Sequence, residues 1–144
     1  MNKNIKLSEH FTLGELCKTN HKTADGNIPS RVAIENLRNI CENWLEALRQ
    51  AQGPIVINSG YRSPEVNKLA GGSTKSNHLT GCAVDIRVTG FEQAIRYASI
   101  LLDIADGTKR DFDELIIARN SAGRYWIHFA VRPKDNRRKT GFLK

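Results

Sequence analysis

The chain has 144 residues, 40% of them hydrophobic and 26% charged, with a formal charge of +7 at neutral pH. That length suffices for one domain with its own core and is too short for two ordinary ones. It contains no apolar run as long as a bilayer span and no internal repeat, and its three cysteines (Cys17, Cys41, Cys82) form no CxxC pair, which argues for reduced thiols and against a cysteine zinc site.

In chain order, the segment through Asn27 is polar apart from a small apolar cluster at Phe11, Leu13 and Leu16. A clear helix follows. Leu37, Ile40, Cys41, Trp44, Leu45 and Leu48 recur at the spacing of one apolar stripe, with Pro29-Ser30 as a start and Gly53-Pro54 as a stop. Pro54–Asn58 reads as a short buried strand. Ser63-Pro64 opens a short helix, with serine at the N-cap and proline at the first helical position, and Gly71-Gly72 ends it. Gly71–Gly81, rich in Gly, Ser, Thr and Asn, is a loop.

Ala83–Val88 alternates like a strand, and an amphipathic helix is expected from about Phe91 to Ala105. Phe112–Ala118 and Tyr125–Val131 form a hairpin across the turn Arg119–Gly123. The run Arg132-Pro-Lys134-Asp-Asn-Arg137-Arg138-Lys139 reads as the start of a solvated basic tail over 132–144, and the basic surface suits an anionic partner. The fold class is α+β: a single domain over 1–144 with a small, mostly antiparallel sheet and flanking helices. No linker divides it.

Three segments carry chemistry. In Ser76-Asn-His78-Leu-Thr-Gly81-Cys-Ala-Val-Asp85, an imidazole on a glycine-bearing loop and a carboxylate on the next strand can fold back to one point. In Tyr125-Trp-Ile-His128-Phe-Ala, an imidazole interrupts a strand of large apolar groups. Ser59-Gly-Tyr-Arg62-Ser-Pro64 puts a guanidinium at a strand-to-helix turn. Two histidines and one carboxylate suit zinc, with a fourth position left to water as in catalytic sites. An unpaired carboxylate on a buried strand such as Ala83-Val-Asp-Ile86 would be costly, so Asp85 calls for a partner.

These segments, together with Gly71-Gly-Ser-Thr-Lys-Ser-Asn-His78 and Phe11-Thr-Leu-Gly-Glu-Leu16, resemble the zinc D-alanyl-D-alanine carboxypeptidase family, peptidase family M15, and within it the branch of small carboxypeptidases and phage endolysins. The resemblance covers most of the chain. It implies a Hedgehog/DD-peptidase-like fold, zinc held by His78, Asp85 and His128, and Arg62 stabilising an oxyanion or gripping a substrate carboxylate. Ser76 would brace the ligand loop at the substrate side. The implied activity is zinc-dependent hydrolysis of an amide bond in a peptidoglycan stem peptide, by a carboxypeptidase or endopeptidase.

One departure stands out. Many relatives carry an acidic general base three residues before the second zinc histidine, where this chain has Tyr125; others carry a glutamate where it has Ala118. Tyr125 can offer substrate a hydrogen bond, but a phenol is a poor base at neutral pH. If Leu115 and Ile117 share the core face with Ile127 and Phe129, Glu114 and Ile116 lie on the face of His128. Pairing about Ser121 then sets Glu114 opposite His128, as a base or as a partner of the ring, with Asp113 its replacement if the register slips by one residue. The alternative to an enzyme is a catalytically inactive, zinc-containing wall-binding domain. Nucleic acid is not an expected partner, because the basic run lacks an aromatic stacking platform. With the polar opening MNKNIKLSEHF, the resemblance further implies synthesis in the cytoplasm without a signal peptide and action at the wall after holin-type release.

Overall fold

Ser30 opens the main helical stretch of the computed structural model, which describes residues 1–143; its hydroxyl accepts a hydrogen bond from the Ala33 amide. After α1 (Leu13–Leu16), capped by a Thr12–Glu15 capping box, come α2 (Arg31–Ile40), a π-helical turn (Cys41–Leu45) and α3 (Glu46–Gln52), ended by Gly53 at φ 86°. The apolar stripe expected from the sequence is the buried face of this stretch. Trp44, in the π turn, lies 5.1 Å from Phe129 and 6.3 Å from Phe112 between ring centroids, so the helix is pinned to the sheet through aromatic contacts.

The sheet is built from β1 (Ile57–Ser59), β2 (Ala83–Arg87), β3 (Glu114–Arg119), β4 (Tyr125–Ala130) and β5 (Lys139–Leu143) in the order β1-β2-β4-β3-β5. Short α4 (Pro64–Leu69) begins at the Ser63 cap, and α5 (Phe91–Thr108) crosses from β2 to β3. The helix α5 runs three residues beyond the expected Ala105, closing with Lys109 in the left-handed conformation. One face of the sheet, carrying Val84, Ile86, Leu115, Ile117, Ile127 and Phe129, joins the helices in a single hydrophobic core. The opposite face carries Asp85, Arg87, Glu114, Ile116, Trp126 and His128. Strand alternation thus separates core from site, and β2, β3 and β4 each serve both. Among the described residues no helix is long and apolar enough to cross a membrane, and Cys17, Cys41 and Cys82 are buried and unpaired.

Two expectations are corrected. The hairpin pairs Ile116, not Glu114, with His128, and Glu114 faces Ala130. The outermost pair is Arg119–Tyr125, so the turn centres on Ala122 rather than Ser121. Moving the centre by one residue shifts the register by two, which keeps Glu114 on the face of His128. The basic segment is not a solvated tail: Lys139–Leu143 adds to β3 in parallel, while the other three strand pairs are antiparallel. The strand edge of β3 offers unpaired amides and carbonyls, and Arg137 bonded to Asp113 brings the chain back to them.

Candidate metal centre

Asp85 and His128 face each other across paired β2 and β4, and His78 reaches them from a 3₁₀ turn (Asn77–Thr80) in the glycine-bearing loop. Ser76 caps that turn, its hydroxyl accepting from the His78 amide at 3.1 Å, and so braces the ligand loop. Gly81 ends it at φ 73°, where a Cβ would in addition run into the Ala33 carbonyl. Gly60 is needed for a different reason: a Cβ there would collide with the Leu16 carbonyl. The irregular register between Ile57 and Ser59 sets Ser59 opposite Asp85 just before this close approach.

One ligand atom from each of His78, Asp85 and His128 falls within 4.8 Å of the others. Asp85 Oδ1 lies 3.3 Å from His78 Nε2 and 3.1 Å from His128 Nδ1. His78 Nδ1 lies 2.6 Å from the Gly60 carbonyl oxygen, which can only accept, so this nitrogen carries the proton. In the neutral ring, Nε2 then presents a lone pair to a carboxylate oxygen, an arrangement that calls for a cation between them. His128 is flanked by carboxylates on both ring nitrogens, with Glu114 Oε1 3.0 Å from Nε2. Burial by itself would lower the pKa of His128, but Asp85 and Glu114 push it up to about 9. Burial would likewise raise the Asp85 carboxyl; the two imidazoles hold it well below the usual carboxylate range. Two imidazoles and a carboxylate, desolvated and electron-rich, fit a zinc ion with a position left open to the pocket.

The surroundings orient these ligands. Arg62 donates from Nη2 to Asp85 Oδ2 at 3.2 Å and from Nε to Ser59 Oγ at 3.1 Å, leaving Nη1 without a partner among the described residues. Glu114 is held near a pKa of about 2, first by its hydrogen bond from His128, against burial, with Asn77 adding to it. It is therefore ionised at neutral pH and fixes the His128 ring from the far nitrogen. Asp113 does not reach the trio. Fully buried, it accepts from Arg137 at 3.0 and 2.8 Å and from Asn77 at 2.8 Å, and its backbone precedes β3. Tyr125 lies on the other face of β4, packed on Phe91 of α5 at 5.5 Å, because an odd step from His128 reverses the direction of a strand side chain.

The pocket over the trio, about 550 Å³, is lined instead by Trp126, two residues from His128, and by Ala118, Phe142 and Leu143. Sequence reasoning missed Asn77 and Trp126. Asn77 is a buried amide whose Nδ2 donates to both Asp113 Oδ2 and Glu114 Oε1 while its Oδ1 accepts from Arg132 Nε at 3.1 Å. Its place beside His78 gave no sign of these long-range partners. Trp126 was accessible by parity with His128 alone.

A desolvated two-histidine, one-carboxylate centre, open on one side and set on the polar face of an α+β sheet, has the donor set of a mononuclear zinc site. Residues 9–116 match the Peptidase M15 family, and the chain belongs to that family. It is 31% identical over 125 residues to the zinc D-Ala-D-Ala carboxypeptidase of Streptomyces albus G, an alignment covering 81% of this chain and 48% of the relative. The chain thus spans about half the length of that relative.

Proposed function

We propose that the chain hydrolyses an amide bond in peptidoglycan stem peptides with zinc as its metal, as a carboxypeptidase or endopeptidase acting at the bacterial wall after release from the cytoplasm, in the manner of phage lysis enzymes. The observation that carries the proposal is the convergence of His78, Asp85 and His128 in a chain of the Peptidase M15 family. Zinc bound there supplies a Lewis acid for the amide carbonyl and lowers the pKa of water toward neutrality. The protein's own part is orientation. Arg62 holds Asp85 through Nη2 while Nε anchors it to Ser59, and Nη1, without a partner among the described residues, is left for the negative charge that develops on the carbonyl oxygen, or for a terminal carboxylate. Glu114 holds His128 with Nδ1 turned toward Asp85. Phe142 and Leu143 of β5 give the rim of the pocket an apolar side for short aliphatic side chains.

The test is product analysis. Zinc-loaded protein incubated with a purified stem pentapeptide and with intact peptidoglycan should release either a single terminal D-alanine or a defined fragment, read by mass spectrometry. No product from either, with zinc bound, would refute hydrolysis.

A second reading has its own support. By the family resemblance an acid is expected at the positions of Tyr125 and Ala118, Tyr125 faces away from the metal pocket, and Glu114 is already engaged by His128 and Asn77. On this reading the centre is a zinc-containing module that binds the wall without turnover, and wall binding would persist where no product forms.

Glu114→Gln separates two roles for that carboxylate. As the group that fixes His128, its replacement should weaken zinc binding or activity about 10- to 100-fold, measured by metal competition with a chelating dye. Full zinc retention with a fall in turnover of about 10³-fold or more would instead assign it proton transfer.

A further inference from the structure

A second cleft, about 670 Å³, lies where β2 ends and β4 begins, and Trp126 lines both it and the metal pocket. Its charged lining residues are Lys18, Arg87 and Arg124, and no carboxylate lines it. All three cations are exposed, and among the described residues none forms an ion pair or donates a side-chain hydrogen bond. That distinguishes them from Arg62, Arg132, Arg137 and Arg138, each of which lies against an aspartate. Asn58 and Asn120 add neutral amides beside the cations.

The sheet fixes how this cleft relates to the metal centre. Asp85 pairs with His128, and Arg87 pairs with Trp126, two residues further along the same two strands and on the same face. Two residues of strand advance about 7 Å. Two residues of an extended peptide cover the same length. A peptide whose scissile amide sits over His78, Asp85 and His128 and whose chain crosses Trp126 therefore brings its second residue from that bond to the Arg87 guanidinium. Arg124, at the β3–β4 turn, and Lys18, after α1, line the same cleft.

We infer that Lys18, Arg87 and Arg124 form an anion-binding subsite, continuous with the metal pocket, for a carboxylate on the substrate peptide about two residues from the cleaved amide. The occupant is thus an acidic peptide in extended form, stacked against Trp126 and held by charge-assisted hydrogen bonds. The inference rests on the metal pocket being the site of peptide hydrolysis. It adds a second anionic contact, about two residues along the peptide, to the one that Arg62 offers in the metal pocket.

The experiment uses two peptides that differ only in glutamate or glutamine at that position, offered to zinc-loaded wild type and to Arg87→Gln/Arg124→Gln. Binding is read from the change in tryptophan fluorescence, to which core-buried Trp44 adds a constant background and Trp126 the response, and turnover from KM and kcat. Wild type should show a KM and a dissociation constant about fivefold to tenfold lower for the glutamate peptide, with the difference shrinking as salt rises. The double variant should lose the preference while keeping its zinc content and its kcat on the glutamine peptide. Equal binding of the two peptides by wild type, or an undiminished preference in the variant, would overturn the inference. So would poly(glycerol phosphate) binding the cleft more tightly than the acidic peptide, since the occupant would then be a phosphate polymer. If neither peptide is cut, the hydrolytic reading falls, while discrimination in the binding arm still decides this one.

Discussion

Replacing His78 with alanine is expected to remove zinc from the protein and to lower peptide hydrolysis by at least about 10³-fold, because the metal supplies several kcal/mol of transition-state stabilisation that no neighbouring group replaces. The expectation follows from how tightly His78 is specified. Its Nδ1 proton is committed to the Gly60 carbonyl at 2.6 Å, its amide to Ser76, and its carbonyl accepts from the Arg62 amide at 3.0 Å. The ring therefore has one orientation, with Nε2 toward Asp85. Truncation leaves Asp85 and His128 as two donors, one short of the three protein ligands of a catalytic zinc site. The measurement is zinc content by mass spectrometry beside peptide release, with far-ultraviolet circular dichroism as a control for folding. A variant that keeps one zinc per chain and cleaves at the wild-type rate would contradict the assignment.

The largest effect on stability is expected away from the metal. Asp113 is fully buried, yet its carboxyl is held at about 2: burial by itself would raise it, and hydrogen bonds from Arg137 and Asn77 outweigh that. A carboxyl near 3.9 in the unfolded chain and near 2 in the folded one contributes about 2.6 kcal/mol at neutral pH. Because the folded value is depressed, this stability is present above about pH 4 and is lost as the pH falls through about 2. Asp113→Asn should therefore cost about 3 kcal/mol at pH 7, lowering Tm by about 10 °C. Urea titrations at several pH values give the sharper check. The gap between wild type and variant should shrink to about half near pH 3, where Asp113 is partly protonated in the unfolded chain. A gap independent of pH would mean that shape, and not charge, is what the residue contributes. The same variant should also loosen β5, since Arg137 is the link that returns the chain to β3.

Much of this arrangement is legible in the residues themselves. The stripe from Leu37 to Leu48 specifies the main helix because 3.6-residue periodicity is local. Ser63-Pro64 and Gly53 specify the neighbouring caps by their own backbone preferences. The trio is legible chiefly through the resemblance of Ser76–Asp85 and Trp126–His128 to the zinc carboxypeptidase family, and locally because a carboxylate in Ala83-Val-Asp-Ile86 needs a reason to be there. What eluded the sequence depends on partners distant along the chain. Lys139–Leu143 is short and exposed, follows a basic run and has Gly141 in its middle, so nothing in its pattern distinguishes a strand from a tail. It is ordered by the open edge of β3, a tertiary fact. The register of the hairpin turned on a single residue of loop length. Tyr125 was placed by its distance from His128 along the chain, whereas strand parity sends it to Phe91 and brings Trp126 to the pocket. Asn77 illustrates the same limit: a buried amide between two acidic side chains and Arg132 looks, in sequence, like an ordinary loop asparagine.

The central claim is that His78, Asp85 and His128 together hold one zinc ion. Anomalous diffraction from crystals of the zinc-equilibrated protein, recorded on both sides of the zinc absorption edge, tests it most directly. A single peak about 2.0–2.2 Å from His78 Nε2, an Asp85 carboxylate oxygen and His128 Nδ1 is the expected result. A peak at other residues, or no peak after equilibration with zinc, would contradict it.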